Sequence, residues 1–93
     1  MIMNINFLEK TTAIDPEKLV GTKWIGWTDL FADKMSVEFV DKSNCIYTSK
    51  PKKFPLTYNV KKGKLYISHI SGAFEQRGNI LFINDYPVFE KAA

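Results

Sequence analysis

One cysteine, Cys45, and one histidine, His69, are all the thiol and imidazole that the 93 residues contain. A lone cysteine excludes an internal disulfide. Packing and backbone pairing alone must hold the fold, as a reducing compartment permits. One Cys and one His also leave a zinc site short of ligands, and no metal or other cofactor is expected. No glycine-rich loop of the phosphate-cradling kind occurs. No run approaches the ~18 apolar residues of a membrane span. The opening residues, Met1-Ile2-Met3-Asn4-Ile5-Asn6-Phe7-Leu8-Glu9-Lys10, lack the basic start and unbroken apolar stretch of a secretory leader, and the expected compartment is the cytoplasm. Repeats, linkers and low-complexity segments are missing too. One domain over 1–93 is expected, with 1–14 as a segment leading into it.

Catalytic sets are equally scarce. Cys45 and His69 are the only pair for nucleophilic chemistry, and a thiolate needs its base within hydrogen-bond reach. With one strand between theirs, they lie two strand spacings apart, about 9–10 Å. Cys45 therefore reads as a small hydrophobe. The acids Asp29, Asp33, Glu38 and Asp41 sit in a loop or on an outer face and form no acid/base pair. No enzyme is expected.

What the chain does have is apolar volume. Hydrophobic residues make up 45%, with two Trp, four Tyr and seven Phe, which is ample for a core and argues against disorder. Charge is unevenly spread: residues 42–74 hold seven lysines and no acid, whereas residues 1–41 hold seven acids and four lysines. Such asymmetry is one signature of an acidic partner.

Asp15-Pro16-Glu17-Lys18-Leu19-Val20-Gly21 predicts one helical turn. Asp15 can cap it, Pro16 suits the first helical position and Gly21 the exit. After Gly21, turn signals recur every 8–12 residues or so, the spacing of a sandwich or barrel. The pattern predicts strands over 22–28, 35–41, 44–49, 54–61, 64–71, 73–77, 79–84 and 86–91, with 29–34 open to a further helical turn. Links this short favour antiparallel neighbours. Alternation places Met35, Val37 and Phe39 on one face, as it does Phe54, Leu56, Tyr58 and Val60, and Leu65 with Ile67. With Trp24, Phe74 and Phe89 these form the expected interior. Ile80-Leu81-Phe82-Ile83 is apolar on both faces, so Phe7 and Leu8 or another chain should cover its outer side. Closure into a barrel removes the exposed edges of such a meander. The expected fold is all-β: a small closed antiparallel barrel of about eight short strands with one N-terminal helical turn.

Leu19-Val20-Gly21-Thr22-Lys23-Trp24, entering the first strand, resembles the opening of lipocalin-like (calycin-type) barrels, and among them the small bacterial lipocalin-like domains. There a short turn leads through a glycine to a tryptophan that plugs one barrel end. The chain order, from that turn through a meander ending at Val88-Phe89-Glu90-Lys91, is similar as well. The resemblance implies a barrel with Trp24 as the plug, and binding rather than catalysis.

Bulky inward side chains on short strands leave little room, so a ligand would sit at the open rim. His69, continuing the face of Leu65 and Ile67, and Tyr58 are the expected contacts, with Trp27 and Tyr47 beside them. A second candidate is the loop Lys50, Pro51, Lys52 and Lys53, which two prolines stiffen, since stiff loops lose less entropy on binding. Lysines form a third. Lys50, Lys52 and Lys53 precede the strand 54–61 and Lys61, Lys62 and Lys64 follow it, so roughly 26 Å separates the two groups. Any polyanion binding is then weak, and nucleic acid is not an expected partner. The expected function is binding of a small apolar molecule or a protein at the rim, by a monomer or weak homo-oligomer. A module using the 50–55 loop is the alternative.

Overall fold

The computed structural model describes residues 10–27 and 34–92. It consists of β1 (Thr11–Thr12), a helical turn α1 (Pro16–Leu19), and strands β2 (Lys23–Gly26), β3 (Met35–Phe39), β4 (Asn44–Ser49), β5 (Lys52–Lys61), β6 (Lys64–Ile67), β7 (Phe74–Arg77), β8 (Ile80–Ile83) and β9 (Tyr86–Lys91). Each strand from β2 to β9 pairs antiparallel with the next, and β2 also pairs with β9. That last pairing closes an eight-stranded barrel, so the all-β expectation holds.

Strand β1 is an addition. Between β6 and β7 only Leu65 and Phe74 are partnered. In the gap beyond them β1 pairs with β7, Thr11 opposite Arg77 and Thr12 opposite Gln76. The Ile14 N–H then donates to the Gly63 carbonyl at 2.9 Å. Gly63 has a φ of +77°, and a Cβ there would lie 3.0 Å from the Ala13 Cβ. Only glycine meets both demands without strain.

The helical turn is too short to persist alone. Asp15 caps it by accepting from the Glu17 N–H at 2.9 Å, worth about 1 kcal/mol. Leu19 is buried in the core, worth about 1.5–3 kcal/mol. Leu19 of α1 and Ile14 join Trp24, Phe39, Tyr58 and Cys45 in one buried cluster.

The interior is filled by side chains. Trp24, Val37, Phe39, Tyr58, Leu65, Ile67, Phe74 and Phe89 are buried as the alternation predicts, joined by Cys45 and Leu81. Met35, Leu56 and Val60 pack partly buried against them. Ile80 and Phe82, on the opposite face of β8, are buried as well. The Arg77 guanidinium lies 4.6 Å from the centre of the Phe82 ring. Phe7 and Leu8, proposed to cover that face, lie outside the described residues, as does 29–33.

Several predicted boundaries are corrected; the strand expected over 35–41, for one, ends at Phe39. The strand expected over 64–71 ends at Ile67. The Ile70 N–H donates to the Ile67 carbonyl at 3.1 Å, making a turn in which His69 takes a φ of +65°. The strand expected from 54 begins at Lys52, because Lys52 pairs with Ser49 and Lys53 with Thr48. Strand β5 thus runs well past the end of β6.

Candidate functional site

The mismatch between β5 and β6 creates the site. The two strands are in register from Tyr58 opposite Ile67 to Lys61 opposite Lys64. One step further, the Ser68 N–H donates to the Thr57 carbonyl at 2.9 Å and the Thr57 N–H to Ser68 Oγ at 3.1 Å. The chain then turns away, and Phe54, Pro55 and Leu56 lose β6 as their neighbour on that side. A cleft of about 440 Å³ opens there, lined by Tyr47, Phe54, Pro55, Leu56, His69 and Ile70.

Its walls are apolar, with His69 the one imidazole among them. Tyr47 and Phe54 are partners across β4 and β5. Their rings lie 6.1 Å apart, only 25° from parallel. Phe54, expected inside, is 40% exposed, because the strand that would have covered it ended at Ile67. His69 is exposed rather than inward: the turn at Ser68 breaks the alternation that assigned it to the face of Leu65. It reaches the cleft from the connection between β6 and β7.

Tyr58 belongs elsewhere. Its hydroxyl donates to the Asp41 carbonyl at 2.5 Å, and its ring meets Phe39 edge-on at 4.9 Å, both at the α1 end. A rim shared by His69 and Tyr58 is therefore not formed, since Tyr58 is buried and does not border the cleft that His69 lines. Burial, then the Asp41 charge, push the Tyr58 hydroxyl pKa upward. Trp27 is half-buried just after β2, where its main-chain N–H donates to the Val88 carbonyl at 3.0 Å, and it does not border the cleft.

The proposed loop at Lys50, Pro51, Lys52 and Lys53 shrinks to a tight connection. Lys52 and Lys53 are in β5, leaving Lys50 and Pro51 to make the turn. The lysine groups do lie at opposite ends of β5, which spans ten residues.

Cys45 sits in the core at 1% exposure, and burial pushes its thiol up to about 11. A thiol held neutral at physiological pH is a poor nucleophile. Among the described residues no group of three or more His, Cys, Asp or Glu side chains could hold a metal ion, and no helix is long and apolar enough to cross a membrane.

The cleft was hard to find in the sequence because it depends on a difference in strand length. Pro55 was the available signal: proline inside a strand marks an edge. No protein-family model, curated protein or solved structure matches the chain.

Proposed function

We propose that the chain is a non-enzymatic binding module, a lipocalin-like barrel that takes a small apolar molecule in the cleft between Tyr47, Phe54 and Ile70. The observation carrying this reading is that cleft. About 440 Å³ falls within the roughly 300–1,000 Å³ usual for small-molecule sites. Apolar walls supply affinity, and His69 supplies one polar contact to orient the guest. The filled interior bars a lipid tail from threading into the barrel, so the ligand is compact and flat enough to lie against the Tyr47 and Phe54 rings.

The test is a titration with small neutral aromatics, indole and naphthalene, followed by amide chemical shifts. Shifts concentrated at Tyr47, Phe54, Leu56, His69 and Ile70, and weakened by Phe54→Ala, support the proposal. No response at millimolar ligand, or shifts centred on Trp24 and α1, would overturn it. Phe54 is 40% exposed, so its truncation leaves the core intact.

A further inference from the structure

Two lysines meet across the outer wall of the barrel. Lys34 precedes β3 and Lys50 follows β4, and the Lys50 N–H donates to the Lys34 carbonyl at 2.9 Å. Both border a shallow hollow of about 110 Å³ whose floor includes Ser36 and Thr48. These are a cross-strand pair, and Lys34 and Lys50 stand two positions beyond them on the same outward alternation. A second hollow of about 270 Å³ shares Ser36, Thr48 and Lys50, and is flanked by Lys23 and Lys53. The register explains the gathering: Lys53 is the partner of Thr48, and Lys23 the partner of Glu38.

Like charges facing each other across a strand pair repel. Among the described residues none of these four lysines forms an ion pair, whereas Lys42 pairs with Glu17 and Lys64 with Glu75. Glu38 is the one acid among the described residues lining the two hollows. Among the described residues the two hollows gather four cations and one anion, a balance that favours a bound anion.

We propose that the outer face of β2 to β5 is a binding site for a small oligophosphate, distinct from the apolar cleft and independent of it. Lysine ammoniums are point charges that accept phosphate oxygens from many directions, where an arginine fork would select planar partners. The half-buried Ser36 and Thr48 hydroxyls add neutral donors on the floor. Among the described residues no aromatic ring lines either hollow, and the lysines and hydroxyls there suit a phosphate chain.

Inorganic tripolyphosphate is the probe, titrated at low salt and followed by amide shifts. Expected are shifts at Lys23, Lys34, Ser36, Thr48, Lys50 and Lys53, together with a rise in melting temperature. In the double variant Lys34→Gln/Lys50→Gln affinity should fall about tenfold or more, the equivalent of one charge-assisted hydrogen bond. That variant should also unfold at no lower denaturant than the parent at low salt, because the facing charges are gone. Equal shifts at Lys61, Lys62 and Lys64 would show counterion condensation only and overturn the proposal. So would undiminished binding by the double variant, or a preference for single-stranded DNA at matched charge.

Discussion

The indole Nε1 of Trp24 donates to Thr22 Oγ1 at 2.9 Å, and that hydroxyl donates in turn to the Leu19 carbonyl at 2.6 Å. The buried Trp24 ring is thereby tied to the last residue of α1. Trp24 is 2% exposed, so its ring carries packing as well as this polar link. Trp24→Ala should cost about 3–5 kcal/mol, enough to unfold much of a domain this small. Thr22→Val leaves the ring in place and strands its N–H, at about 1–3 kcal/mol. Denaturant unfolding should rank the parent above Thr22→Val, and Thr22→Val above Trp24→Ala. A Trp24→Ala protein that melts like the parent would refute a structural role for Trp24.

The buried Cys45 thiol sets an alkaline limit on stability. Its pKa is raised by burial to about 11 from an ordinary 9.0. Between those values the unfolded chain releases the proton while the native one keeps it. Unfolding is then favoured as pH rises, so the contribution is complete below pH 9 and is lost toward 11. Relative to Cys45→Ala, the parent's advantage in denaturant midpoint should shrink across pH 9–11 and stay constant from pH 6 to 8. In the native state a disulfide reagent at pH 8 should leave Cys45 unmodified, and should react once denaturant is added. A constant advantage up to pH 11, or fast native labelling, would contradict the burial argument.

Alternation made the interior legible. Val37, Phe39, Leu56, Tyr58, Leu65 and Ile67 fall where a period of two puts them, because each strand has one packed and one solvated face. The closed meander followed from short links and the need to hide edges. What alternation cannot report is where a strand stops. His69 and Phe54 were both misplaced for that reason: the turn at Ser68 ends β6, so His69 leaves the inward row and Phe54 loses its cover. Strand β1 escaped notice because two threonines carry no periodic signal. The Lys34 and Lys50 pair requires cross-strand register, which brings together residues sixteen apart in the chain.

His69 sits in the left-handed region with a φ of +65°, where a side chain costs roughly 1–2 kcal/mol that glycine avoids. Glycine also gives the unfolded chain more freedom. His69→Gly should therefore stabilise the protein by a net of about 0.5–1 kcal/mol. It should also weaken binding of the small aromatic, since the imidazole lines the cleft. Higher stability with lower affinity is the expected pattern, read by melting temperature and by titration. Unchanged affinity would remove His69 from the site, and lower stability would mean that its side chain makes a compensating contact.

Pro55 guards the stretch of β5 that runs past β6. The Tyr58 N–H points to β4, donating to the Ser43 carbonyl at 3.0 Å, and the Thr57 N–H points the other way, to Ser68 Oγ. Main-chain groups alternate in direction along a strand, so position 55 faces the same side as Thr57, where β6 has already ended. A residue with an N–H there would offer an unpaired donor to any passing strand, and proline has none. Lys53, two positions earlier on the same edge, adds charge against pairing. Pro55→Val restores the donor, brings a side chain suited to strands, and keeps the apolar wall of the cleft. The variant should associate through paired β5 edges, giving a dimer whose fraction rises with concentration in sedimentation velocity, while the parent at the same concentration does not. Adding Lys53→Thr should strengthen that association by removing the remaining charge. If both variants sediment like the parent, proline at 55 is not what keeps this edge alone.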